Sequence, residues 1–284
     1  MKGEDYRVRA SAAHALMQGD NRITEKQLAR LAELIERDRL AQIGEAKPLT
    51  KNMQQEVIEL TAKKDAPLEL GKTAQSMVKD AWRHKEHGYR RESHSDETIK
   101  GQLCEAEAVA MLNEVLPLSR PRHTFSVRKR DGDFTGECDV NLTDLKIRAI
   151  EDIKCPFDLK TYMDKEEAEE VYKTQGQVYM ALYNADVFRL HYCLVNTPEV
   201  LIKRMQFRMM YVFRDNMATG FEELLEYNPG FRAAVDQIAK NHNYDHIPAE
   251  QRIKTFEFER DDKYIEELRY RAKWARDFYD TIEL

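Results

Sequence analysis

Apolar positions recur three and four residues apart through most of the first 116 residues, then switch to alternation soon after residue 120. Thr24-Glu25-Lys26-Gln27 reads as a capping box opening a helix over ITEKQLARLAELIERDRLA. Pro48 and Thr50 punctuate before a second helix, KNMQQEVIELTAKK. Gly71 precedes a third, KTAQSMVKDAWRHKEH, which Gly88 ends. Ser95 caps a fourth, running to about Leu116 and stopped by Pro117. The alternating stretch predicts strands near 122–130, 134–142 and 146–154, joined by Arg-Asp-Gly-Asp and Leu-Thr-Asp-Leu, with Pro156 ending the third. A helix over about 166–184, a strand in 187–196, a helix from Pro198 to about 217 and weaker helices over 221–241 follow. A late strand at 253–260 precedes a C-terminal helix whose apolar positions include Tyr264, Leu268, Trp274, Phe278 and Ile282. The order helix, three strands, helix, strand predicts an α/β core, a mixed central sheet flanked by helices. Its expected organisation is a mostly helical N-terminal region, 1–95, packed on a core, 96–284.

Composition narrows the picture. A chain of 284 residues with 42% hydrophobic content can bury one substantial core. The net charge of −6 and pI of about 5.9 exclude a generic polycation, so any nucleic-acid binding must come from local basic surface. Three such groups stand out: Arg120, Arg122, Arg128, Lys129 and Arg130; Arg83, Lys85, Arg90 and Arg91, with Trp82 and Tyr89 interleaved; and Lys203, Arg204 and Arg208 on one helix. In a chain that is 34% charged, each group is also what a solvated face looks like. No apolar run approaches the length of a membrane span, and MKGEDYRVR has no apolar leader segment, so the expectation is a cytoplasmic protein with no membrane association. Cys104, Cys138, Cys155 and Cys193 show no C-x-x-C spacing, and His84, His87, His94 and His123 show no ligand spacing. Reduced, mostly buried thiols are expected. There is neither a phosphate-binding G-x-x-x-x-G-K-[ST] loop nor a G-x-S-x-G nucleophile elbow.

The candidate chemistry gathers around residues 139–154. Residues two apart on a strand share a face, so Asp152 and Lys154 project together with Ile150 behind them. Asp139 reaches the same place if the two segments pair as a hairpin. Two carboxylates and an ammonium at one point suit a divalent cation and an attacking water. The same Asp-x-Lys is also what a cross-strand ion pair looks like. Glu105 shares its helical stripe with Ala108, Val109, Leu112 and Leu116, which turns a carboxylate inward. A buried carboxylate needs a metal or a cation beside it, so a buried salt bridge is the alternative. Gln175 and Tyr179, at i,i+4 with Gln177 between them, can present an amide and a phenol together. They are equally an ordinary helix with Tyr179 packed inward.

Laid out in order, these residues resemble the PD-(D/E)xK nuclease superfamily, most closely the lambda-type phage exonucleases, also called YqaJ-like viral recombinases. Gly101-Gln-Leu-Cys-Glu105 is similar to that family's G-x-x-x-E helix, and Gly136-Glu-Cys-Asp139 to its acidic strand. Asp152-Ile-Lys154-Cys155-Pro156-Phe157 is similar to its E-x-K-C-P-F segment, and Gln175-Gly-Gln177-Val-Tyr179 to its Q-x-Q helix. The resemblance covers about residues 96–200. Beyond it, residues 12–95 match poorly, apart from an Arg-x-Ser start at Arg9-Ala10-Ser11. Asp152 stands where Glu is commoner, and Cys138 where Pro is usual.

The resemblance implies a restriction-endonuclease-like core and a Mg²⁺-dependent deoxyribonuclease, with Mn²⁺ as a substitute, degrading linear duplex DNA from its 5′ ends in phage-type recombination or DNA processing. It implies Glu105, Asp139, Asp152 and the Ile153 carbonyl as metal ligands. Lys154 would orient or help deprotonate water, or neutralise the developing phosphorane. Gln175 and Gln177 would position the strand or Lys154, and Tyr179, Arg9, Arg128 and Arg130 would touch DNA. A trimeric ring and a single-strand annealing partner are further implications. A RecB-like or restriction-type endonuclease on the same fold, and a non-catalytic recombination scaffold, are the alternatives.

Overall fold

A computed structural model describes residues 2–19, 21–66, 69–89, 95–125, 127–214 and 219–284. The chain forms two compact units, one of Met1–Tyr6, His14–Tyr89 and Glu267–Leu284, the other of Arg7–Ala13 and Arg90–Glu266. Among the described residues no helix is long and apolar enough to cross a membrane.

The first unit is helical. α1 (Glu25–Gln42) starts at the expected capping box: Thr24 Oγ1 accepts from Gln27 N at 3.2 Å, and Thr24 N donates to Gln27 Oε1 at 3.1 Å. α2 (Lys51–Asp65) is capped by Thr50, and α3 (Lys72–His87) ends at Gly88. Arg30 of α1 forks onto both oxygens of Glu56 of α2 at 3.1 Å each. In the part of the C-terminal helix that belongs here, the buried stripe is Leu268, Arg271, Ala272, Ala275 and Tyr279. Of the expected apolar positions here Leu268 lies on it, whereas Trp274 and Phe278 flank it half-buried and Ile282 lies past the helix end. The stripe contains an arginine because Arg271 is satisfied: it pairs with Glu267 at 2.6 Å and donates to Leu16 O at 2.7 Å.

The second unit carries two sheets among its described strands. β1 (Val8–Arg9), β2 (Lys129–Arg130) and β3 (Phe134–Gly136) form a small sheet ordered β1-β3-β2. β4 (Val140–Leu142), β5 (Ala149–Lys154), β6 (Val187–Cys193) and β7 (Ile253–Glu259) form a larger one in that order, with β5 and β6 parallel and the outer pairings antiparallel. The helices are α4 (Asp96–Val115), the short α5 (Leu159–Met163), α6 (Glu170–Tyr183), α7 (Glu199–Phe213), α8 (Phe221–Tyr227), α9 (Pro229–Asn241) and the start of α10 (Asp262–Asp280). The expected α/β fold with a mixed sheet between helices is the one observed.

Two predicted strands are not continuous. The stretch 134–142 breaks at Glu137–Asp139, so β3 and β4 enter different sheets. The break is held by a phenol from α6: Tyr183 Oη accepts from Cys138 N at 3.4 Å and donates to Val127 O at 2.8 Å. Of 122–130, only Lys129–Arg130 is strand among the described residues. At its start Asn113 of α4 takes the backbone instead, accepting from Arg122 N at 2.7 Å and donating to Arg122 O at 3.0 Å.

β5 is the centre of the unit, and residues 149–153 are all buried because helices cover both its faces. On one face Ala149 and Ile153 pack with Cys104, Ala108 and Leu112 of α4, and with Val140, Leu142, Cys193 and Val195. On the other lies α6, pressed so close that a Cβ on Gly176 would meet Phe188 of β6 at 2.1 Å. All four cysteines are free, and Cys104, Cys138 and Cys193 are buried, as expected.

Candidate active site

The expected hairpin forms: Val140 pairs with Glu151, Asn141 with Ile150 and Leu142 with Ala149. Asp139, immediately before β4, therefore arrives beside the end of β5. Its Oδ2 accepts a 2.7 Å hydrogen bond from Ile153 N, and its own carbonyl accepts from Phe125 N at 2.8 Å. Asp152 and Lys154 share the α6-facing side of the strand and form an ion pair there. The Lys154 ammonium also lies 5.0 Å over the Tyr172 ring. From α6, Gln175 Nε2 donates to Tyr179 Oη at 2.8 Å and reaches Asp152 Oδ1 at 3.5 Å. Tyr179 is buried against Gly136, where a Cβ would meet its ring at 2.7 Å.

Of these groups, Asp139, Lys154, Tyr172 and Gln175 line one side of an open cleft of about 660 Å³, and Asp152 and Tyr179 are buried behind them. Glu105, Gly101, Gln102, Thr98 and Glu97 of α4 line another, and Ser11, Cys155, Pro156, Phe157 and Asp158 also reach it. Glu105 is half-buried rather than sealed among the apolar residues of its stripe.

The electrostatics follow from this crowding. Burial pushes the Asp139 carboxyl well above its ordinary value, and the Asp152 carboxylate pushes it further; Lys154 and the Ile153 N–H only partly oppose this. Burial, then Asp152, likewise raise Glu105, and none of the causes is a hydrogen bond or salt bridge to it. Burial disfavours the Lys154 ammonium, but Asp152 and Asp139 outweigh that and hold it above its ordinary value. Asp152 Oδ2 is buried and, despite the ion pair, makes no hydrogen bond of acceptable geometry. Asp139 and Glu105, both raised by the Asp152 carboxylate, together with Asp152 and its unbonded buried oxygen, are a hard-oxygen donor set of the kind Mg²⁺ takes. Among the described residues no three such side chains are gathered as closely as a closed metal cage requires. The Lys154 ammonium supplies the positive charge beside Asp152.

Not every expected site residue comes to the cleft. Gln177 points away from it, donating to Glu259 O and accepting from Asp261 N, each at 2.9 Å. Two residues apart on a helix means about 200° around it, a signal present in the sequence. Arg9 is exposed on β1, Arg130 is exposed on β2, and Arg128 pairs with Glu137 at 3.3 Å. Arg122 leaves the basic group altogether: it is buried and forks onto Glu151 at 2.7 and 3.3 Å. Arg120 is engaged by Asp144. Arg90, Arg91 and His94 lie outside the described residues. Sequence reasoning missed Tyr172, which faces Lys154, and Glu151, whose partner lies 29 positions earlier.

No family model matches the chain, and no curated protein does. Solved structures share its fold. A phage-related exonuclease from Haemophilus somnus 129PT aligns with a TM-score of 0.61 at 21% identity, over 99% of this chain and 97% of that one. An alkaline exonuclease, LHK-Exo, from Laribacter hongkongensis aligns with a TM-score of 0.51 at 12% identity, over 96% and 88%. The same protein in complex with dAMP aligns equally well.

Proposed function

We propose that the protein is a metal-dependent DNA exonuclease that hydrolyses linear duplex DNA, 5′ to 3′, in phage-type recombination or DNA processing. The observation that carries this reading is the meeting of Asp139, Asp152 and Lys154 at the end of the β4–β5 hairpin, beside a cleft that Asp139, Lys154 and Glu105 line. Kinship of fold with two exonucleases supports it, as does the bound dAMP of one.

Asp139 and Asp152, with Glu105 and the Ile153 carbonyl, would hold Mg²⁺ or Mn²⁺. The chemistry such an ion supplies is activation of water and neutralisation of charge on phosphoryl oxygens. Lys154, flanked by two carboxylates, stays an ammonium at neutral pH; it orients the water and offsets charge on the phosphorane rather than accepting a proton. Gln175 fixes Asp152 and is itself fixed by Tyr179. Arg9, Arg128 and Arg130 supply phosphate contacts, which add affinity without reading sequence. A homotrimer on DNA ends and a single-strand annealing partner belong to the same reading.

End-labelled linear duplex and covalently closed duplex, each digested with Mg²⁺ and with EDTA, test it. Release of label from the linear substrate alone, abolished by EDTA, is expected. Cleavage of the closed circle would make the protein an endonuclease, and no cleavage of either would leave a binding scaffold.

A further inference from the structure

Helix α7 carries an exposed face that the cleft chemistry does not use. Val200, Phe207 and Tyr211, spaced by seven and four residues, fall on one line along it, and Phe207 and Tyr211 are 49% and 53% exposed. Lys203, Arg204 and Arg208 flank that line, all exposed. The inward face, Leu201 and Met210, is buried, and Met210 packs with Leu224 and Phe231 of α8 and α9; on the outward face Phe207 stacks on Phe221 of α8 and meets Tyr211 edge to face, while half of Tyr211 stays open to solvent.

The face is cationic. Arg204 and Arg208 both reach Asp96, at 2.9 and 2.7 Å, so two guanidinium groups share one carboxylate and one positive charge is left over. Among the described residues Lys203 pairs with the exposed Glu199, a pair that water and salt weaken. The Arg214 guanidinium lies 4.0 Å from the Tyr211 ring centroid. Asp96 opens α4, the helix whose Glu97, Thr98, Gly101, Gln102 and Glu105 line the cleft. The two arginines thus tie this face to the α4 N-terminal end of the cleft.

We propose that the outward face of α7 binds single-stranded DNA, stacking a base on Tyr211 while Lys203, Arg204 and Arg208 hold the phosphates. Interleaved exposed rings and cations are what a single strand needs, because its bases have open faces to stack on and its backbone is anionic. Duplex DNA keeps its bases stacked on each other and would use only the cations. The proposal rests on the nuclease reading for its occupant, since removing one strand leaves the other beside the cleft.

The test is fluorescence anisotropy of a fluorescein-labelled 20-residue oligo(dT), titrated with the full-length protein in EDTA at several salt concentrations. Wild-type protein should bind, with affinity falling as salt rises. Tyr211→Ala should weaken binding about tenfold or more, and Tyr211→Phe should restore it. Lys203→Gln should lower the log–log salt slope by about 0.7 if one phosphate contact is lost. Thermal unfolding checks that each variant is folded. Unchanged affinity in Tyr211→Ala, or no binding by the wild type, overturns the proposal. So does a change in sedimentation with unchanged oligo(dT) affinity, which would make the face a contact between copies of this chain. Because no cleavage is measured, Tyr211-dependent binding in a protein that proves inactive in the Mg²⁺ assay would uphold this surface while overturning the nuclease reading.

Discussion

Glu151 and Asp152 are neighbours on one buried strand, yet the two faces of β5 treat their carboxylates in opposite ways. On the α4 side, burial raises the Glu151 carboxyl, but His191 and Arg122 more than offset it and bring it down to about 2. Arg122 also donates to Leu116 O at 2.6 Å and Leu112 O at 3.3 Å, closing the end of α4. His191 Nε2 stands at 3.5 Å from Glu151, an ion-pair distance without a hydrogen bond, so Arg122 is the stronger partner. On the α6 side one lysine serves two carboxylates, with Glu105 nearby, and Asp139 is driven upward. A balanced buried charge holds a fold together. An unbalanced one has free energy to gain from a cation, and that is the mark of a site.

The largest consequence is on activity. Asp152→Ala and Lys154→Ala should each lower Mg²⁺-dependent hydrolysis of end-labelled duplex by about two to three orders of magnitude or more. In EDTA the Asp152→Ala midpoint should stay near wild type, because Lys154 keeps Asp139 as a counter-charge, whereas Lys154→Ala should unfold somewhat earlier while still folding, because the carboxylates lose their ammonium. Near-normal cleavage by both variants would remove the distinction between the two faces.

Glu151→Gln should do the reverse. It leaves the Arg122 guanidinium buried without its counter-charge, for which about 3–5 kcal/mol of lost stability is expected. Urea unfolding measures this directly. A loss below about 1 kcal/mol would mean that the carbonyls of α4 satisfy Arg122 alone.

The two faces should also separate by pH. Glu151 has a folded pKa depressed to about 2, against about 4.3 unfolded, so its contribution is complete above the unfolded value and is lost as pH falls toward 2. Asp139 has a raised folded pKa, so its contribution is complete below about pH 3.9 and is lost as pH rises through the folded value. In EDTA, Glu151→Gln should therefore flatten the acid limb of the urea midpoint against pH, and Asp139→Asn the limb above about pH 4. Identical profiles for the two variants would sink the argument.

Much of the fold and of the site is legible in the amino-acid sequence, and the part that is not has a physical pattern. Thr24, Thr50 and Ser95 announce their helices because capping is local, within three residues. The Asp139, Asp152 and Lys154 cluster is legible because a hairpin and a period of two suffice to assemble it. The break in 134–142 is not, since it depends on a phenol, Tyr183, that lies 45 residues from the backbone it bonds. Nor is the role of Arg122: in sequence it is one arginine in a basic run, and only the fold turns it onto Glu151. Local signals mark elements and short-range sites; long-range pairing decides which charges are structural.

Glu105 is where the comparison is sharpest and the expected effect smallest. It comes from α4, the helix that covers the paired face, yet its charge is felt at the unpaired one. It is half-buried, raised by burial and by Asp152, and neutralising it relieves repulsion. Glu105→Gln should therefore leave apo stability unchanged or raise it by less than about 1 kcal/mol, while weakening Mg²⁺ or Mn²⁺ binding. Had it been half of a buried ion pair, the same substitution would cost about 3–5 kcal/mol, as at Glu151. Calorimetric metal titration with thermal unfolding in EDTA separates the two. A large fall in melting temperature with unchanged metal affinity would move Glu105 to the structural face and leave Asp139 and Asp152 as the only carboxylates of the site.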